Sequence, residues 1–240
     1  MRINSFTPSG TLENDLAVLS PEESHHLARV LRVEAGQELT LFDGQGTRAE
    51  GIVEAVTKKE VTVRITARET VPPPVVEITL IQAICKPDRF ELILQKATEL
   101  GIRRIQPVIS AHTVNRSKEP EKQMERWQTI IRNAAQQCGT AWLPELLPLQ
   151  KFNAVALKAD VVFIGSLHPN AKPFREAFQG LDRAKIKTAA LLIGPEGDFT
   201  EEEVNAAVAA GAIPVTFGSQ ILRTETAAIF GLSVLAYELF

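Results

Sequence analysis

The chain has 240 residues, 45% hydrophobic and 23% charged, with a formal net charge of −3 at pH 7. That composition supports a packed core and excludes a disordered or collagen-like chain. No apolar run approaches the roughly 20 residues a membrane-spanning helix needs, and residues 1–6 lack the apolar stretch of a secretory signal, so a cytoplasmic location is expected.

In chain order, Ser20, Pro21 and Glu23 read as N-cap, first-turn proline and capping-box glutamate. The helix they open runs through His25, Leu27, Val30 and Leu31. Residues 39–42, 49–56 and 61–66 are short β-branched or alternating runs, with a turn at 43–46, and together suggest a small β-barrel. Pro72, Pro73 and Pro74 form a stiff extended spacer, giving a first domain over 1–71, a linker at 72–74 and a second domain over 75–240. In the second domain, 75–84 reads as a strand. A helix capped by Asp88 and ended by Gly101 follows, then a strand at 105–109 and a long helix over 120–138. Residues 161–164 and 189–193 are continuous apolar runs, the mark of strands buried on both faces. Thr200 and Glu203 form a capping box for a helix ending at Gly211. A strand at 214–217 and a helix over 225–239 complete an alternation that predicts a parallel α/β sheet.

Three loops follow strands: 165–169, 194–199 and 218–226. Ligands of open parallel sheets bind beyond the carboxyl ends of the strands, and a glycine there lets backbone approach a ligand closely. The second loop lacks the dinucleotide G-x-G-x-x-G order and a P-loop Gly-Lys-Ser/Thr. Ser166 near His168 has no nucleophile elbow. Glu196, Arg223 and Glu225 remain as polar groups on which the loops can converge; buried together, Arg223 and Glu225 form an ion pair first and a catalytic pair second.

Elsewhere the signals are plainer. Cys85 and Cys138 each lie inside an apolar segment and predict two reduced core residues. His25, His26, His112 and His168 show no helical i,i+4 pairing, so no metal is expected. Between Ile84 and Arg132, ten basic residues stand against six acidic ones, a local excess of +4. Such a stretch suits steering of an anion, and equally suits a solvated helical surface.

Leu192-Ile193-Gly194-Pro195-Glu196-Gly197, followed by Gly218-Ser219-Gln220-Ile221-Leu222-Arg223-Thr224-Glu225-Thr226-Ala227, resembles the RsmE family of ribosomal RNA methyltransferases in the SPOUT superfamily. His25-His26-Leu27-Ala28-Arg29-Val30-Leu31-Arg32, Leu41-Phe42-Asp43-Gly44 and Gln95-Lys96-Ala97-Thr98-Glu99-Leu100-Gly101 extend the likeness over nearly the whole chain. The resemblance implies a PUA-like barrel before a SPOUT-type α/β domain with a C-terminal trefoil knot. It also implies a homodimer acting on ribosomal RNA of the small subunit, at uridine N3, with S-adenosyl-L-methionine held in the knot.

On that mapping Leu167, His168, Ile193, Gly194, Glu196, Gly197, Phe217, Gly218, Ile221 and Leu222 hold the cofactor. Loss of the N3 proton puts negative charge on the ring oxygens, for which Arg223 and Arg32 are the candidate stabilisers. Glu225 orients Arg223 or accepts the proton. Arg29, Arg32, Lys86, Arg89 and Arg116 are the expected RNA contacts. The chain departs from the family pattern at Asp198, where many relatives carry a second glycine, and at Asn4-Ser5, Ser110-Ala111-His112 and Thr140, where arginines are usual. Missing phosphate contacts weaken RNA affinity, so a non-catalytic RNA-binding or ribosome-assembly protein of the same fold stands as the alternative.

Overall fold

The protein is described by a computed structural model covering residues 3–57, 59–114 and 117–240. Contacts divide the chain into two compact units. One is Met1–Pro73 with Arg132–Leu143; the other is Pro74–Ile131 with Pro144–Phe240. Segment 132–143 thus groups with the N-terminal residues.

The first unit holds β1 (Asn4–Phe6), β2 (Leu16–Val18), α1 (Pro21–His25), β3 (Glu38–Phe42), β4 (Thr47–Val56) and β5 (Val61–Thr70). Its five-stranded sheet runs β1-β3-β4-β5-β2, and among the described residues β1 and β2 do not pair with each other. Alternation along β5 puts Val61, Val63 and Ile65 into the core with Leu27, Leu39, Leu41 and Val53. Each such side chain contributes about 1.5–3 kcal/mol when fully buried.

The helix in this unit differs from its sequence reading. Ser20 does cap α1, its Oγ accepting from the Glu23 N–H at 3.3 Å. The Glu23 carboxylate, however, is buried and turned away from the cap. It accepts from Ser5 Oγ at 2.7 Å and, through its two oxygens, from Gln136 Nε2 at 2.9 and 2.8 Å. Burial raises its carboxyl above the usual value, against the pull of those hydrogen bonds and of the His26 and Arg132 charges. Beyond His25 the backbone widens into a π-turn over His26–Leu31 and stops at Arg32, whose φ is 54°. The expected apolar stripe keeps only Leu27. Val30 and Leu31 are rotated out and exposed, and π-turns concentrate at functional positions.

The second unit is built on β6 (Glu77–Ala83), α2 (Pro87–Glu99), β7 (Arg104–Ile109), α3 (Pro120–Cys138), β8 (Glu145–Leu146), β9 (Gln150–Lys151), β10 (Val161–Gly165), β11 (Lys172–Pro173), α4 (Phe174–Ala177), β12 (Thr188–Ile193), α5 (Glu201–Ala209), β13 (Ile213–Thr216) and α6 (Thr224–Leu239). The last turns of α3 belong to the first unit. Its main sheet path is β11-β13-β10-β12-β6-β7-β8, parallel throughout. The predicted parallel sheet is present. Strand β12 enters between β6 and β10, so the two apolar runs lie side by side at its centre.

Local signals explain the helices. Pro87 supplies the fixed φ of the first position, so α2 starts there and Asp88 lies inside its first turn rather than at the cap. Thr200 and Glu203 close both halves of the predicted capping box on α5. Helix α6 packs tightly on the sheet through Gly231, where a Cβ would lie 2.7 Å from Leu191 Cδ2. On α3 the buried stripe of Trp127, Ile131, Ala134 and Ala135 stops before the last turn. Cys138, expected in a core, is therefore exposed, while Cys85 is buried. No helix among the described residues is long and apolar enough to cross a membrane.

Candidate functional site

The sheet order places β13, β10 and β12 side by side, so the loops leaving their carboxyl ends are neighbours. Between them lies a cavity of about 250 Å³. The loop after β10 contributes Leu167, and the end of β12 with its loop contributes Ile193, Gly194, Glu196 and Asp198. The loop after β13 contributes Phe217, Gln220, Ile221, Leu222 and Arg223; Arg89 reaches in from α2. Leu167 and Ile221 are 58% and 78% exposed, large apolar side chains at the mouth. Apolar walls with a few convergent polar groups are the usual make-up of a small-molecule site.

Hydrogen bonds hold the 194–199 loop from several directions. Thr224 Oγ1, buried at the start of α6, donates to the Gly194 carbonyl at 2.6 Å. The same oxygen accepts from Gln82 Nε2 at 3.2 Å, and that amide also donates to the Ala83 carbonyl at 3.0 Å. His112 Nδ1 lies 2.8 Å from the Gly197 carbonyl and 3.0 Å from that of Asp198. Both neighbours are acceptors only, which requires the proton on Nδ1. Asp198 has a φ of 58°. Its Oδ1 accepts from the Phe199 N–H at 2.8 Å and its Oδ2 from the Leu167 N–H at 3.3 Å.

Among the described residues, charged groups at the cavity form one cluster around Arg89, with Arg223 outside it. Arg89 Nη1 lies 3.3 Å from Glu196 Oε1, and Arg89 Nε lies 3.8 Å from Glu225 Oε2. Glu196 Oε1 also accepts from the Lys86 backbone N–H at 3.2 Å. Burial and the Glu196 and Glu225 charges push the Cys85 thiol up to about 12. Arg223, exposed at the N-cap of α6, makes no side-chain hydrogen bond or ion pair with any described residue. Glu225 faces Arg89, not Arg223.

The remaining candidates are more scattered. His168, Gly197 and Gly218 do not line the cavity. His168 instead closes a local turn, its N–H donating to Ser166 Oγ at 3.0 Å. Gly197 rests on His112, whose Cβ would be 3.2 Å from an added Cβ. Arg29 and Arg32 are exposed on the first unit, and Lys86 is exposed on the second. Arg116 lies outside the described residues. The described residues contain no group of three or more His, Cys, Asp or Glu arranged to hold a metal. Sequence reasoning missed Gln82, Thr224 and His112 as supports of the site. Gln82 sits near the carboxyl end of β6 and 142 residues from Thr224, so no local signal marks it.

Comparison with known proteins adds the family. The profile of an RNA methyltransferase domain matches residues 71–236, and that of an RNA methyltransferase PUA domain matches residues 19–66. The chain belongs to the RsmE family of RNA methyltransferases. Ribosomal RNA small subunit methyltransferase E of Mycobacterium bovis is 30% identical over 90% of this chain and 84% of its own length. The enzyme of that name from Neisseria gonorrhoeae, solved bound to S-adenosyl methionine, superposes with a TM-score of 0.88 at 30% identity, covering 99% of this chain and 98% of that one. A Legionella pneumophila protein solved in complex with bound cofactor SAM gives a TM-score of 0.89 at 35% identity, with the same coverage. The small N-terminal sheet and the parallel sheet are thus the PUA-like and methyltransferase parts of this family's fold.

Proposed function

We propose that this chain transfers a methyl group from S-adenosylmethionine to N3 of a uridine in 16S ribosomal RNA of the small subunit. The carrying observation is the cavity itself. Three loops, two of which carry the family's motifs, enclose one space beyond the ends of parallel strands. Its residues fit the cofactor. Leu167, Ile193, Phe217, Ile221 and Leu222 offer apolar walls for an adenosine, while Arg89, Glu196 and Gln220 offer polar groups. S-adenosylmethionine supplies an electrophilic methyl, so the protein's task is to bring two reactants together in line.

The chain's own residues then divide the work. The Leu167 N–H and the Gly194 carbonyl already have partners within the protein. Ligand contacts there fall to side chains, to remaining carbonyl lone pairs and to the backbone of Ile221 and Leu222. Arg223, with no partner among the described residues, is available to meet the negative charge that spreads onto the uracil oxygens as the N3 proton leaves. Glu225 does not line the cavity, and we assign it to anchoring Arg89. Arg29 and Arg32, exposed beside the π-turn, are assigned to RNA, and Arg32 is also the second candidate for the uracil oxygens. The knot, the two-domain division at the proline run and a cytoplasmic setting belong to the same proposal. So does a homodimer, supported by the exposed Phe230, Tyr237 and Phe240 at α6.

The test is methyl transfer from labelled cofactor to small ribosomal subunits purified from cells lacking this protein. Nucleoside mass spectrometry should find the label in 3-methyluridine. No transfer to any subunit preparation, with RNA binding intact, would establish the non-catalytic alternative.

A further inference from the structure

The backbone at Asp198 adopts a left-handed conformation, with φ at 58°. Side chains other than glycine are uncommon there, although Asp and Asn tolerate it better than the rest. Asp198 offsets that cost with its carboxylate. One oxygen binds the N–H of the next residue, Phe199, and the other reaches across to the N–H of Leu167, 31 residues away in the loop after β10. Leu167 and Asp198 both line the cavity, on loops leaving adjacent strands. The carboxylate therefore ties two walls of one cavity through two acceptor atoms, and only the Leu167 bond crosses between them. Loop 165–169 is also held by the Ser166 N–H, which donates to the Val215 carbonyl of β13 at 3.0 Å, and by the His168 N–H, which donates to Ser166 Oγ at 3.0 Å; neither bond reaches the loop after β12.

We infer that Asp198 is a positioning residue for cofactor binding: its carboxylate pre-orders the Leu167 wall so that a ligand need not. The inference rests on the cavity being the cofactor site. Ordering a loop at the moment of binding subtracts from affinity, so the effect belongs to the cofactor dissociation constant and KM rather than to turnover of the bound complex. Asp198→Asn isolates the crossing bond. Asparagine keeps the left-handed backbone and one acceptor oxygen, which the shorter contact to Phe199 claims. Its amide then presents N–H to the N–H of Leu167, and the tie between the loops is lost.

The test uses the full chain in three forms: wild type, Asp198→Asn, and Ile221→Glu as a variant that places a charge on the cavity wall. Calorimetry with S-adenosylmethionine should show binding to wild type, none to Ile221→Glu, and a dissociation constant raised about tenfold in Asp198→Asn. In the asparagine variant the KM for cofactor rises in step, while kcat at saturating cofactor stays within about twofold. Amide hydrogen exchange should show the Leu167 N–H losing protection while that of Phe199 keeps it, with Tm lowered by no more than about 4 °C. Unchanged affinity in Asp198→Asn, with Ile221→Glu inactive, overturns the positioning role alone. Unchanged binding by Ile221→Glu, or no binding by wild type, overturns the cavity as the cofactor site and the inference with it.

Discussion

Replacing Thr224 by valine keeps the shape of the side chain and removes one hydroxyl. That hydroxyl donates to the Gly194 carbonyl at 2.6 Å and accepts from Gln82 Nε2 at 3.2 Å, at a position only 5% exposed. Gln82 retains the Ala83 carbonyl at 3.0 Å and the Ile193 carbonyl at 3.4 Å, so its loss is small. The Gly194 carbonyl has no second partner among the described residues. A buried acceptor left unsatisfied costs about 1–3 kcal/mol, which at about 2–4 °C per kcal/mol for a chain of this size lowers Tm by about 2–12 °C. Because Gly194 opens the loop that carries Glu196 and Asp198, cofactor affinity should fall about tenfold alongside. Thermal melting and calorimetry on Thr224→Val and Thr224→Ser check both numbers, serine restoring the hydroxyl. Wild-type melting and affinity in Thr224→Val would refute the claim that this buried network holds the loop.

Arg223→Ala should lower kcat about 100-fold and leave cofactor affinity nearly unchanged; equal losses in both would make it a binding residue instead. With its thiol pushed up to about 12 and buried, Cys85 should resist alkylation at pH 8, whereas exposed Cys138 reacts, as peptide mass mapping can show. Preferential labelling of Cys85 in the native protein would contradict its burial. Glu23 binds its proton more tightly folded than unfolded, because burial raises its carboxyl. Its contribution to stability is therefore full below about pH 4.3 and is lost as pH rises through the higher folded value. Denaturant midpoints of wild type should thus drop relative to Glu23→Gln as pH climbs from 4 toward 7, on the order of the carboxylate range; parallel profiles would count against it.

Strand and helix periods, the Thr200 capping box and the glycine-marked loops were all legible in the sequence, since each is a local pattern. The cavity was legible too, because buried parallel strands direct their following loops to one end of a sheet. What escaped was of two kinds. Strands β1 and β2 are three residues each, too short to show a period, and exist only through pairing with β3 and β5. The supports of the site join residues remote in sequence: Gln82 with Thr224, Arg89 with Glu196 and Glu225, His112 with Gly197. Reading Arg223 and Glu225 as neighbours gave them to each other, whereas two residues apart at a helix start they face different ways, and Glu225 turns to Arg89. The π-turn likewise had no sequence signature, since His26–Leu31 carries an ordinary helical pattern up to Arg32.

The most direct measurement is a crystal structure of this chain grown with S-adenosylmethionine. The cofactor should lie between the loops after β10, β12 and β13, its adenosine against Leu167 and Ile221 and its methyl open toward Arg223. Density for the cofactor at any other place on the chain, with these three loops closed on themselves, would contradict the assignment of the site.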